Sequence, residues 1–199
     1  MNARAIALIS TFAALAIALN AIRIPSIFWP EFAFSVCDIP VLVAFLIFGF
    51  KIGFLVEAVH IVGQEIFFSA GPAGIVVYPM GFIFVPFMFF GIYLASKFLA
   101  RRALSGKQIS GKRRTLYFTG FATALRGGLM PIIDYAVMYS ILLPLVLSIT
   151  IPAAYIAALV PSFIIYNITS ALYAVPIAYL IAKRVSKYLK IETSIPMTN

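Results

Sequence analysis

Six long apolar runs follow one another along the chain and leave little sequence between them. They cover residues 5–22, 38–50, 52–69, 78–100, 116–139 and 153–182. A helix needs about 20 apolar residues to cross a bilayer, and only 11% of the 199 residues are charged. The pattern predicts a single all-α domain over residues 1–199, an integral membrane bundle of six transmembrane helices. The short second run is expected to be tilted, or joined to the third through a turn at 49–53.

Basic residues gather at one side of the predicted membrane. Placing the N-terminus in the cytoplasm puts all of the 15 Lys and Arg residues there except Arg23 and Arg126. Because positive charge marks cytoplasmic loops, we expect a multi-pass protein of the cell membrane with both termini cytoplasmic. Residues 97–114 are predicted to form a flexible basic cytoplasmic loop. The net charge of +9 is thereby explained without nucleic-acid binding.

Polar side chains interrupt the third, fifth and sixth runs. In the third, Glu57, His60 and Gln64 share one helical face. They form either a hydrogen-bonded structural network or the wall of a cavity. In the fifth, Arg126 and Asp134 are separated by about 12 Å of helix, so each is expected to pair with another helix or with a ligand. Ionisable groups at this depth usually mark a functional site.

Metal and enzyme sites are not expected. The chain has one histidine and one cysteine, too few for a metal site or a disulfide. No Gly-x-Ser-x-Gly motif accompanies His60, and the chain holds only two aspartates, so serine-hydrolase and Asp-rich metal chemistry lack their residues. We therefore predict neither enzymatic activity nor a cofactor.

Small residues line one face of the first run, at Ala3, Ala7, Ser10, Ala14 and Ala18. Such a face allows close approach of another membrane helix. Spacing alone favours contact with the protein's own helices over docking of a partner protein. The connection at 23–37 is rich in aromatic residues, including Phe28 and Trp29, which suit either the membrane interface or a lid over a pocket.

The segments FSVCDIPVLVAFLIFGFKIGFLVEAVH, ALRGGLMPIIDYAVMYSILLP and YNITSA resemble the substrate-binding S-components of energy-coupling factor (ECF) vitamin transporters, above all the riboflavin-type branch. Their common residues include Asp38, Pro40, Gly49, Gly53, Tyr135, Pro144 and Asn167. Two positions depart from that branch. Asp134 stands where it has asparagine, and Ser170 stands where it has lysine.

The resemblance implies a high-affinity vitamin-binding subunit, with riboflavin as the first candidate ligand. It implies a pocket near the outer surface that is closed by the first outer loop. Together with the polar residues found above and the aromatic residues able to stack on a flat ring, the expected contacts are Arg126, Asp134, Tyr135, Asn167, Ser170, Trp29, Phe28 and Tyr78. It also implies that Ala7, Ala14 and Ala18 dock on a transmembrane coupling subunit driven by two ATPases. The chain has no P-loop of its own.

Other functions remain open at this point. The same kind of subunit could bind a different vitamin or a nucleobase-like compound. A stand-alone secondary transporter could use Glu57, His60 or Asp134 as proton carriers. An intramembrane enzyme or a structural assembly subunit is the third possibility.

Overall fold

The computed structural model describes residues 3–25, 33–68, 74, 78–104 and 109–195. Within these ranges the chain forms an all-α membrane bundle, which confirms the predicted fold. The six helices are α1 Ala3–Leu19, α2 Asp38–Phe48, α3 Phe50–Phe68, α4 Gly81–Leu104, α5 Gly111–Leu147 and α6 Ala153–Leu189. A 3₁₀ turn at Tyr78–Met80 leads into α4.

The helices differ in length. Among the described residues, α4 with its preceding turn, α5 and α6 are long and apolar enough to cross a membrane, while α1 and α2 are shorter apolar helices. Helices α5 and α6 have 37 residues each, so each is about 55 Å long and extends beyond the apolar core of a bilayer. Helix α3 has 19 residues and carries Lys51, Glu57 and Glu65.

The short helix α2 lies at the centre of the bundle. Its residues from Ile39 to Ile47 are all buried, and it packs against α1, α3, α4 and α6. Helix α3 follows after a single residue, Gly49, whose φ of +91° suits glycine and few other residues. A Cβ added at Gly53 would lie 2.7 Å from the Cβ of Phe45. The predicted turn at 49–53 therefore joins two closely packed helices.

The connection between α1 and α2 contains secondary structure that the hydropathy pattern did not predict. Strands β1 (Arg23–Pro25) and β2 (Ala33–Ser35) pair antiparallel, with Ile24 opposite Phe34. Phe28 and Trp29 fall between the strands and lie outside the described residues. The hairpin is the only sheet in the described part of the chain.

The basic segment 97–114 is more helical than predicted. Helix α4 continues to Leu104 and α5 begins at Gly111, so only residues 105–110 separate them. The Ser110 side chain caps α5 by accepting a hydrogen bond from the backbone N–H of Arg113 at 3.5 Å. The segment at the end of α4 is rich in alanine, leucine and arginine, which are strong helix formers. The helix can therefore continue past the membrane into the basic segment.

The small-residue face of α1 points away from the bundle. Ile9, Ala13 and Ala16 are the buried residues of this helix. The small residues at 3, 7, 10, 14 and 18 are all exposed. Contact with the protein's own helices, the interpretation that spacing favoured, is therefore wrong for this face. The core side of α1 is itself built partly from small residues, Ala13 and Ala16, so the exposed small face is a second one.

Candidate ligand-binding cavity

A cavity of about 460 Å³ lies at one end of the bundle. Its wall is formed by the end of α1, the hairpin, the starts of α2 and α4, and parts of α3, α5 and α6. Apart from Arg126, the basic residues of α3 to α6 lie toward the opposite ends of these helices. The volume falls within the range of about 300–1,000 Å³ that is typical of small-molecule sites.

Arg126 of α5 is the centre of a buried polar network in this cavity. Its guanidinium donates from Nη1 to Asp38 Oδ2 at 2.9 Å and from Nε to Asn167 Oδ1 at 3.1 Å. Nη1 also lies 3.2 Å from the sulfur of Met88, and the guanidinium is 5.9 Å from the ring centroid of Phe84. Arg126 therefore joins α5 to α2, α4 and α6, as expected for a charged side chain at this depth.

Both polar atoms of the Asn167 side chain form hydrogen bonds within the protein. Its Oδ1 accepts from Arg126, and its Nδ2 donates to the backbone carbonyl of Phe163 at 2.9 Å. Only 1% of the residue is exposed. Its amide is thus fixed in orientation by two hydrogen bonds, one of them to its own helix.

Asp134 lies where α5 changes its winding. Residues Asp134–Leu142 form a π-helical stretch between Pro131 and Pro144, and such stretches are frequent at functional sites. The wider winding places Asp134 and Tyr139, five residues apart, on the same cavity wall. The Asp134 carboxylate lies beside the Asn167 amide. No cation stands within 4 Å of it among the described residues.

Helix α3 contributes the predicted polar face. His60 Nδ1 lies 3.0 Å from Glu57 Oε2, and each residue is 2% exposed. Gln64 lines the cavity one turn further along. Residues 57, 60 and 64 therefore form part of the cavity wall, in addition to the internal pair that a purely structural network would require.

The hairpin is held over the cavity by two tyrosines of α6. The ring of Phe34 stacks on Tyr166 at 5.1 Å and meets Tyr173 edge to face at 6.3 Å. The Tyr173 hydroxyl donates to the backbone carbonyl of Ser35 at 2.6 Å. Aromatic pairs of this geometry each contribute about 0.5–1.5 kcal/mol beyond their buried area. The base of the 23–37 connection is thus anchored to α6.

Cys37 lines the cavity where the hairpin meets α2. Burial, and next the neighbouring Asp38 carboxylate, raise the pKa of its thiol well above the ordinary value. The side chain therefore stays a neutral thiol at physiological pH. In the described part of the chain no group of three or more His, Cys, Asp or Glu residues could hold a metal ion.

Most of the site residues predicted from the sequence line this one cavity: Arg126, Asp134, Asn167, Ser170 and Tyr78. Tyr135 does not line it, since its side chain is 38% exposed on the surface of α5. Phe28 and Trp29 lie outside the described residues.

Sequence reasoning missed several members of the cavity, namely Asn20, Arg23, Asp38, Tyr166 and Tyr173. Asp38 was noticed only as a motif residue at the start of the second apolar run, because nothing in linear spacing joins it to Arg126. Asn20 could have been found as the polar residue that ends an apolar run.

Comparison with known proteins agrees on the fold. A scan against models of protein families finds no match, and a search of curated proteins finds none similar by sequence. A solved structure described as the S component of a bacterial ECF transporter superposes with a TM-score of 0.68. The match has 22% sequence identity and covers 94% of this chain and 98% of that one. The chain thus has the fold of an ECF S component over nearly its whole length.

Proposed function

We propose that the protein is the substrate-binding subunit of an ECF-type importer. It binds a small vitamin, with riboflavin or a related flavin as the first candidate, and delivers it inward with an ATP-driven partner module. The cavity end faces the exterior, and both termini face the cytoplasm, where the basic ends of the helices also lie. The protein itself carries out binding and catalyses no reaction.

The observation that carries this proposal is the cavity. Polar residues from α2, α3, α5 and α6 converge on one space of ligand size within a bundle that has the S-component fold. The aromatic side chains of Tyr78, Phe84, Tyr139, Phe163 and Tyr166 complete the wall. Apolar and aromatic walls with a few placed polar groups are typical of sites for flat ring compounds.

Binding is tested on the full chain purified in detergent. Riboflavin should co-purify and be identified by mass spectrometry, or bind on titration by isothermal calorimetry. Asp134→Ala should weaken binding about tenfold or more, because it removes a buried polar contact of the cavity. Asn167→Ala should weaken it as well, because the Arg126 guanidinium in the cavity loses the acceptor that orients it. Ile132→Ala is the matched control on α5, since Ile132 is 64% exposed. Unchanged affinity in both cavity variants would remove the cavity from the binding site.

The exposed small-residue face of α1, at Ala7, Ala14 and Ala18, is the proposed docking surface for the transmembrane coupling subunit. Small residues let two membrane helices approach closely. Ala14→Leu should abolish co-purification with a co-expressed ECF module while ligand affinity stays unchanged. Val59→Leu, at an exposed apolar position of α3, should have no effect. Full assembly of the Ala14→Leu variant would place the docking surface elsewhere.

The buried Glu57–His60 pair favours a second function, proton-coupled transport by the chain alone, since ionisable pairs inside membrane proteins can relay protons. Reconstitution of the purified chain in liposomes separates the two functions. The ECF proposal expects no riboflavin uptake when only a proton gradient is applied. Uptake under that condition would establish the secondary transporter in its place.

A further inference from the structure

Three buried polar atoms of the cavity wall have no hydrogen-bond partner in the described part of the chain. They are Asn20 Nδ2, His60 Nε2 and Ser170 Oγ, from the end of α1, from α3 and from α6. Each residue is at most 5% exposed. An unsatisfied buried polar atom costs about 1–3 kcal/mol. Three such atoms around one cavity therefore indicate a ligand that satisfies them.

The interaction of His60 with Glu57 determines whether the free ring nitrogen of His60 is a hydrogen-bond donor or an acceptor. Nδ1 is occupied by Glu57 at 3.0 Å, and both side chains are 2% exposed, so a net charge on the pair would be costly. The pair is neutral when it holds two protons. One proton lies between Glu57 and Nδ1, on either atom, and the other is on Nε2. In both arrangements Nε2–H points a donor at the cavity.

Asn20 offers the same kind of group. Its free atom is the amide nitrogen Nδ2, which can only donate. The residue follows the last turn of α1, and its backbone N–H is already used by the carbonyls of Ala16 and Ile17. The two residues on the α1 and α3 side of the cavity thus both present N–H donors.

The surrounding charges decide which acceptors suit these donors. Asp38, Glu57 and Asp134 line the cavity against two arginines, Arg23 and Arg126. With the Glu57–His60 pair neutral, the carboxylates of Asp38 and Asp134 are matched by the two arginines, so the cavity has no excess positive charge. A phosphate or carboxylate at the donors would add a buried negative charge without a cation to balance it, which is costly. An uncharged acceptor, such as a carbonyl oxygen or a ring nitrogen, satisfies Asn20 and His60 without that cost.

We propose that Asn20 and His60 form an acceptor-binding subsite on the α1 and α3 side of the cavity, which holds uncharged carbonyl or ring-nitrogen atoms of the transported compound. This inference rests on the proposed function and deepens it. Asp134, on the α5 side, lies beside the Asn167 amide, has no cation within 4 Å among the described residues, and receives N–H groups of the same compound. The ligand class is a flat heteroaromatic ring with acceptors on one edge and N–H donors on another.

The test uses the full chain in detergent and a fixed panel of riboflavin, thiamine, biotin, pyridoxine and guanosine, measured by isothermal calorimetry. For the panel compound that binds the wild type, Asn20→Leu and His60→Phe should each raise Kd about tenfold, the usual effect of one lost buried hydrogen bond. His60→Gln, which keeps an N–H donor, should restore most of the affinity. Thr119→Val is the matched control.

Thr119 suits that purpose because its hydroxyl is also buried and unpartnered among the described residues, yet it does not line the cavity. His60→Phe leaves Glu57 without its partner and can impair folding. Asn20→Leu breaks no ion pair, and the double variant Glu57→Leu/His60→Phe removes the whole pair. If the single His60→Phe variant cannot be purified in folded form, these two variants test the subsite in its place.

The outcomes separate the two proposals. Tighter binding of a panel compound to wild type than to Asn20→Leu and His60→Phe, with Thr119→Val unchanged, supports the subsite. Binding that is equal in all variants overturns the subsite and leaves the proposed function standing, since water then satisfies the donors. Absence of binding by every panel compound overturns the proposed function, and the subsite falls with it.

Discussion

Two sets of polar residues share one cavity and differ in how far the protein satisfies them. The closed network, Arg126 with Asp38, Asn167 and Met88, has its hydrogen bonds made within the protein. The open donors, Asn20, His60 and Ser170, each keep an atom without a partner in the described residues. Apart from Asp38, the residues of both sets are buried to a similar degree, so burial alone does not distinguish them.

The difference separates residues that hold helices together from residues that await a ligand. Removal of a satisfied group leaves its partners unpaired, so the closed network should respond in stability. Removal of an unsatisfied group leaves nothing unpaired, so Asn20 and Ser170 should respond in binding alone. His60 differs, because its other ring nitrogen also holds Glu57. Comparing the stability of the ligand-free protein across variants therefore tests this division.

The largest effect is expected at Arg126. Arg126→Met should lower the free energy of unfolding by about 3 kcal/mol, because it leaves the Asp38 carboxylate without its cation in a poorly solvated site. The Asp38 side chain is 15% exposed, which keeps the expected loss at the lower end for a broken buried pair. Thermal unfolding of the ligand-free protein in detergent measures the change.

The control for that prediction removes both charges together. Asp38→Leu/Arg126→Met should recover most of the lost stability, since a buried ion pair can often be replaced by apolar side chains at little cost. An Arg126→Met variant as stable as the wild type would show that the network does not hold α2 and α5 together.

A smaller loss is expected where α4 meets α5 beside this network. A Cβ added at Gly91 would lie 2.6 Å from the Cα of Ala122, one turn from Met88 on α4 and from Arg126 on α5. Gly91→Ala should therefore push the helices apart and cost about 1–3 kcal/mol. Gly120→Ala is the matched control on α5, because nothing lies within 4 Å of its added Cβ. Equal unfolding temperatures for the two variants would contradict the close contact.

The sequence contained enough information for the bundle and for half of the cavity. Hydropathy located all six helices, because a membrane span needs a long apolar run and little else has that pattern. Arg126, Asp134 and Asn167 were found for the complementary reason, since polar residues at that depth are too costly to occur without a partner or a function. The burial of both Arg126 and Asn167 fits that rule.

Pairings across helices and the exposed face of α1 could not be predicted. Asp38 and Arg126 are 88 residues apart, and periodicity within one helix carries no information on which helix lies opposite. The hairpin at Arg23–Pro25 and Ala33–Ser35 depends on the α6 tyrosines that anchor it. The face of α1 was misjudged because small residues favour helix contact without specifying whether the other helix belongs to the same chain.

The smallest effect is expected at Ser170, and it is most informative beside Asn167, three residues earlier on α6. Asn167→Ala removes two internal hydrogen bonds and should destabilise the ligand-free protein by about 2 kcal/mol. Ser170→Ala removes a hydroxyl without a partner among the described residues, and alanine is the better helix former, so its unfolding temperature should stay equal or rise slightly. The variant should still bind riboflavin less tightly, by about fivefold. A loss of stability in Ser170→Ala as large as that in Asn167→Ala would mean that the ligand-free cavity already satisfies this hydroxyl, and the division between closed and open residues would fail at α6.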